Sequence, residues 1–210
     1  MPKKLQVIDS KRRTPRQVRA RATLELIFEA TARILHRGGL AALNTNAVAE
    51  QAGISIGTLY QYFPHKEAIM VAMARRLLES DRLAVMKALS GALDDPSAKA
   101  ARVAVNRLIT LTRSNQKVRR IVTQTLLAQG FGDELAKPVQ EVTQMLAART
   151  DRILPRRTAP ISPVTLFVLT RAVIGVIRAA AHEESPFLGT SEFEDELVRL
   201  VEGFLAALDQ

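Results

Sequence analysis

In "AEQAGISIGTL" Ala49 lies four residues before Gly53 and Leu59 six residues after it, and this spacing narrows the fold of the chain more than any other feature. A helix-turn-helix needs a small residue where two helices approach closely. It needs a glycine where the turn bends, and an apolar anchor that seats the second helix on the first. Each requirement alone is weak. Together they predict a helix-turn-helix whose second helix runs from about Ser55 to Phe63.

That short helix sorts by face. Leu59 and Phe63 are four apart and point inward, while Gly57, Thr58, Gln61 and Tyr62 fall mainly on other faces. Glycine costs ~1 kcal/mol relative to alanine inside a helix. Gly57 therefore signals a close approach, either of a DNA backbone or of another helix. Tyr60 and Tyr62 are the only tyrosines of a chain without tryptophan. A phenol joins an apolar ring to a hydrogen-bonding tip. Lys66 follows at the start of the next helix, where its charge and the free backbone N–H groups both favour an anion. Two phenols, a lysine and a helix N-terminus make a phosphate clamp; half-buried packing of both rings is the other reading.

The flanking pattern is helical throughout, with no convincing strand alternation. From about Pro15, Leu24, Ile27, Phe28, Thr31 and Leu35 share one side of a helix that stops at Gly38-Gly39. Asn44 or Thr45 caps a second helix to about Ala52, and Ser55 caps the third, which must end before Pro64. A fourth, longer helix runs from about Lys66 to Leu93.

The stretches "LIFEATARILHRGG" and "NTNAVAEQAGISIGTLYQYFPHKEAI", within residues 22–70, resemble the DNA-binding region of the TetR family of bacterial transcriptional regulators. The resemblance implies that Thr45, Tyr60, Tyr62 and Lys66 match phosphate-contacting positions. It implies that Ser55, Ile56, Gly57, Thr58 and Gln61 belong to the base-facing or backbone-facing part of a recognition helix. Two residues depart from the pattern. His65 replaces a small capping residue, which predicts a weaker cap. Asn46 replaces an apolar or acidic residue, and either caps the second helix or reaches DNA.

Charge points the same way. Of a net +9, residues 1–76 hold 13 Lys and Arg against 5 Asp and Glu, and the remainder is nearly neutral. Such asymmetry suggests a nucleic-acid module joined to a neutral body. Lys11, Arg12, Arg13, Arg16, Arg19 and Arg21 lead into the first helix. They form either an arm along the DNA backbone or minor groove, or a solubilising tail.

Beyond residue 95 the helical pattern continues. Asp95-Pro96 opens a fifth helix and Asn115 caps a sixth, which ends near Gly130. "GFGDELAKP" reads as a break, with Pro138 opening or kinking the next helix to about Ile153. Ser162-Pro163 starts a strongly apolar helix to about Glu184, and Ser191 with Glu194 reads as a capping box for the last. The expectation is an all-α chain of about nine helices. It has a basic arm at 1–14, a helix-turn-helix DNA-binding domain at 15–65 and a ligand-binding and dimerisation body at 66–210.

In that body, Ala172, Gly175 and Ala179 would let one C-terminal helix approach another closely. Leu197, Leu200, Val201 and Phe204 lie on the apolar stripe of the last helix. These two helices are expected to pair with their copies as a four-helix bundle across a twofold axis, an arrangement the resemblance implies as well. Thr110, Gln124, Thr125 and Gln144 are polar among apolar neighbours, with Phe131, Met145 and Phe167 as lining, a composition suited to a small-molecule pocket; solvent-facing helix positions are the plainer reading of the polar four.

Other classes are set aside. The chain has no cysteine, so thiolate metal sites, disulfides and cysteine catalysis are excluded. Its three histidines are far apart, and it carries neither a phosphate-loop motif nor a nucleophile elbow. No enzyme activity, cofactor or metal is expected. The apolar run Val164–Ala181 is interrupted by Arg171 and Arg178, which argues against a membrane span, and no signal peptide is visible; a soluble cytoplasmic protein is expected. The functional expectation is a homodimeric repressor of double-stranded DNA, released from a palindromic operator by a small molecule. A ligand-independent DNA-binding protein, nucleoid-associated or controlled by a protein partner, is the alternative.

Overall fold

In the computed structural model, which describes residues 15–95, 99–154 and 160–208, the helical period of the sequence becomes ten α-helices, with no strand among the described residues. The chain divides into two compact units after Ile69.

The first unit holds α1 (Pro15–Gly38), α2 (Thr45–Ala52) and α3 (Ile56–Tyr62). Its core follows from the predicted faces: Ile27, Thr31, Leu35, Val48, Ala49 and Leu59 are all buried. Thr31 is tolerated there because its hydroxyl donates to the Ile27 carbonyl at 2.8 Å, so no polar atom is left unpaired. The Phe28 and Phe63 rings meet at 6.1 Å between centroids, closing the base of the cluster. Asn44 caps α2 by accepting from the Ala47 N–H at 2.9 Å. Gly53 ends it in the left-handed region, φ 68° and ψ 31°, where a side chain would be strained. Its N–H and that of Ile54 return to carbonyls of the last turn of α2, a helix stop that also makes the bend into α3.

The second unit begins within α4 (Lys66–Asp94) and continues through α5 (Ala100–Arg113), α6 (Gln116–Ala128), α7 (Gly132–Ala147), α8 (Thr150–Ile153), α9 (Pro163–His182) and α10 (Ser191–Leu208). Helices α5, α9 and α10 form its main core, with Val105, Ile109, Val173, Ile177, Leu197 and Val198 in one cluster. A smaller cluster of Leu154, Ile161 and Leu166 closes the other end. Ion pairs bind its rim: Arg102 of α5 reaches Glu194 at 3.3 Å and Asp195 at 2.7 Å on α10, and Arg82 of α4 reaches Glu141 of α7 at 2.8 Å. Helix α9 is long and apolar enough by composition to cross a membrane. Here it is a core helix on one side, with Leu166, Leu169, Val173 and Ile177 buried within the unit.

Several local expectations change. The stretch expected as a break before Pro138 is helical, and α7 begins at Gly132 with Pro138 inside it. Leu135 and Val139 are buried on either side of the proline, so packing offsets the one hydrogen bond that proline removes. The tenth helix is the single turn α8, expected as the end of α7. Asn115 precedes α6 but is itself left-handed, φ 52°, and makes no side-chain cap. For α10 the cap is Thr190, not Ser191: the Thr190 hydroxyl accepts from the Phe193 N–H at 3.2 Å, while Glu194 turns to Arg102 and Asn106. Helix α5 starts at Ala100 with no side-chain cap, and the expected proline start at Pro96 lies outside the described residues.

Candidate nucleic-acid interface and ligand cavities

Helix α3 owes its orientation to two residues. Leu59 is wholly buried and Phe63, just past its end, nearly so, and together they anchor its inner side. Ser55 fixes its start, accepting from the Thr58 N–H at 3.0 Å and sharing a 2.8 Å hydroxyl contact with Thr58. The remaining side chains turn outward: Ser55, Ile56, Gly57, Tyr60 and Gln61 are exposed and Thr58 and Tyr62 half-buried. An exposed isoleucine beside hydroxyls and an amide presents both an apolar contact and hydrogen-bonding groups, the two means by which base edges are read.

Gly57 lies on this face. A Cβ built there would meet only Ser55 Oγ, at 3.8 Å. Packing against another helix of the chain, one of the two readings of this glycine, finds no support. The space is open to an outside body.

The phosphate-clamp residues gather partly. The Thr45 hydroxyl at the first turn of α2 and the Tyr60 hydroxyl lie 3.3 Å apart, joining the start of α2 to the outer side of α3. Tyr60 is 52% exposed. Tyr62 and Lys66 are half-buried. Asn46 is exposed on the first turn of α2; Asn44, not Asn46, makes the cap. At α4 His65 does serve as a cap: its Nδ1 accepts from the Ala68 N–H at 3.2 Å, longer than the 2.9 and 3.0 Å of the Asn44 and Ser55 caps. Arg12, Arg13 and the side chain of Arg16 lie outside the described residues.

Two cavities open in the second unit. The first, of about 460 Å³, is walled by α4, α5, α7, α9 and α10, and its lining is mostly aliphatic, with Val85, Leu89, Leu108, Leu169 and Val173 among its walls. The second, of about 590 Å³, lies among α4, α6, α7 and α9. Leu78, Asp81, Thr112, Val139 and Arg178 line both. Of the seven ligand candidates, Gln124 alone lines either of these two cavities, the second. Thr110 and Gln144 are exposed, and Thr125 donates to the Ile121 carbonyl of its own helix at 2.9 Å. Met145 is half-buried outside both cavities. Phe131 and Phe167 carry the guanidinium groups of Arg75 and Arg171 over their rings, at 5.7 and 5.0 Å. The wall residues that sequence reasoning missed, such as Leu89 and Val173, are aliphatic residues at ordinary core spacing, and nothing in a sequence separates a cavity wall from a core contact.

Of the dimer candidates, Gly175, Ala179 and Leu200 are exposed and Ala172 and Phe204 half-buried, whereas Leu197 fills the core of its own unit and Val201 packs against it. Val164, Val168 and Val176 add exposed apolar surface to the same side of α9, a helical stripe at i, i+4, i+12.

Comparisons with known proteins agree with this geometry. Residues 27–73 match the family model described as bacterial regulatory proteins, tetR family, and residues 96–205 match that of the tetracyclin repressor-like C-terminal domain. The HTH-type transcriptional repressor KstR of Mycolicibacterium smegmatis is 41% identical over 66 residues, 31% of this chain and 32% of that protein; the chain thus covers about a third of that relative's length. A crystal structure assigned to the TetR-family transcriptional regulators, from Mesorhizobium loti MAFF303099, superposes with a TM-score of 0.73 at 17% identity, over 90% of this chain and 98% of that one. The multidrug binding protein EbrR complexed with malachite green does so at 0.61 and 20% identity, over 86% and 96%. Both likenesses are of fold. With family models spanning the helix-turn-helix and more than half of the chain beyond it, this protein belongs to the TetR family of bacterial regulatory proteins, which are regulators of transcription and not enzymes.

Proposed function

We propose that this chain is a cytoplasmic, homodimeric repressor that binds a near-palindromic operator in double-stranded DNA and is released from it by a small molecule. The observation that carries the reading is the outer face of α3. Ser55, Ile56, Gly57, Thr58 and Gln61 are turned outward by the buried anchors Leu59 and Phe63, beside the Thr45–Tyr60 hydroxyl pair. Phosphate contacts from Thr45, Tyr60, Tyr62 and Lys66 set register and affinity, and the outward residues of α3 set sequence preference. One such helix covers few base pairs. Two related by a twofold axis read half-sites about one helical turn apart, roughly 34–36 Å.

The ligand part rests on the cavities of the second unit, whose volumes lie in the range of small-molecule sites, roughly 300–1,000 Å³. Relatives support both halves: KstR carries the name of a repressor, and EbrR that of a multidrug binding protein with malachite green bound. A ligand acts here by favouring a conformation that spaces the two reading heads wrongly for the operator, with α4 as the element common to both units.

Selection from a random-sequence duplex library tests the proposal. Enrichment of a near-palindrome is the expected result. Binding without an enriched sequence would assign the protein to the nucleoid type, and no binding at all would overturn the DNA reading of α3.

A further inference from the structure

The charges of the second cavity do not balance. Arg119, Arg120, Arg171 and Arg178 line it, and Asp81 is its only carboxylate. Asp81 is already held by Arg119 through two hydrogen bonds, and Arg120 pairs with Glu184 outside the lining. Arg171 and Arg178 remain. Arg171 Nη1 is buried with no hydrogen-bond partner, and no carboxylate among the described residues pairs with either guanidinium. They lie seven residues apart on α9, about 10 Å along the axis. Burial, and then the charge of Arg171, depress the pKa of Arg178 below its ordinary value. The Arg171 guanidinium lies over the Phe167 ring at 5.0 Å and the Arg178 side chain is exposed, so one buried donor without a hydrogen bond and two like charges in one cavity are the features that are costly to keep without a partner.

Arg178 also lines the first cavity, where Asp81, Arg82, Arg152 and Glu202 offset one another in charge and the other walls are largely aliphatic. An end with a cationic excess therefore adjoins one that is mostly apolar and nearly balanced in charge. We propose that the two cavities together bind an amphipathic organic anion, with its acidic head group on Arg171 and Arg178 and its apolar body in the cavity lined by Val85, Leu108 and Val173. Guanidinium groups match the planar, bidentate geometry of a carboxylate or phosphate head group. The inference rests on the reading of the second unit as a ligand-binding body and names the class of its ligand.

Calorimetric titration of the full-length protein with decanoate, 1-decanol, decyltrimethylammonium and inorganic phosphate tests it. The expected order is decanoate first, with 1-decanol and the cation at least tenfold weaker. Shortening decanoate should cost about fourfold per methylene. Arg171→Met and Arg178→Met should each lower decanoate affinity about tenfold and leave 1-decanol unchanged. Arg178→Met should not lower the melting temperature of the free protein, since it removes a charge that no carboxylate pairs, whereas Arg171→Met also gives up the contact with the Phe167 ring. If 1-decanol or the cation binds as well as decanoate, or if the arginine variants keep the wild-type preference, the anionic class is wrong while the cavity remains a ligand site. Phosphate binding as tightly as decanoate would overturn the apolar half. If Arg171→Met changes the sedimentation mass, its guanidinium serves a subunit contact and the proposal fails. Absence of binding by all four probes would remove the ligand reading along with the proposal.

Discussion

Gly57 is a residue at odds with its own helix. Glycine weakens a helix by ~1 kcal/mol relative to alanine, and the structure leaves room for a methyl group there, with Ser55 Oγ the one neighbour at 3.8 Å. Stability and binding are therefore expected to move in opposite directions. Gly57→Ala should leave the melting temperature unchanged or raise it, yet weaken operator binding about tenfold or more in a filter or anisotropy assay. Equal affinity with the added methyl would show that nothing approaches that face. The neighbouring residues separate by role. Tyr62→Phe and Lys66→Ala should weaken binding to every sequence alike. Loss of the lysine should also reduce the slope of log K against log salt by about 0.9 per phosphate contact removed. Gln61→Ala should change which base is preferred at one position, read from a repeated selection; a uniform loss across sequences would remove Gln61 from base readout.

At the scale of the element, α3 has seven residues, too short to persist without its anchor. Leu59 is wholly buried, and Leu59→Ala should cost about 2–5 kcal/mol, seen as a lower midpoint in urea and as lost operator binding. Unchanged stability would mean that α3 is seated by other contacts. Elements of this kind were legible in the sequence because local rules and packing agree: Asn44 and Ser55 cap the helices they precede, Gly53 makes the turn, and Leu59 is the anchor. Where the two disagree, packing wins. Pro138 looked like a helix boundary, yet burial of Leu135 and Val139 carries α7 through it. Glu194 completed a capping box by spacing, yet Arg102 and Asn106 on α5 claim its carboxylate. The cavities were the least legible part. A wall such as Val173 differs from a core residue only by what is missing opposite it, and a sequence does not record empty space. Arg171 and Arg178 were visible, but only as interruptions of an apolar run.

For the whole molecule, the surface left over by folding decides the assembly. On α9 the residues Val164, Val168, Ala172, Gly175, Val176 and Ala179 share one side, and the three valines are exposed. On α10 Leu200 is exposed and Phe204 half-buried. A face this apolar on a family of helices already packed on their other side is suited to a second copy, and small residues at its centre permit close helix approach. In a twofold dimer each residue near the axis meets its own copy, so a charge placed there opposes itself. Val176→Arg combined with Leu200→Arg should therefore yield a monomer by sedimentation equilibrium at micromolar concentration, with an unchanged helical spectrum. Operator affinity should then fall by about 10²–10⁴, the range lost when two linked half-site contacts become independent, while binding of a single half-site persists. A double variant that stays dimeric would place the subunit contact elsewhere, and one that becomes monomeric yet holds the full operator as tightly would show that the two reading heads do not act together.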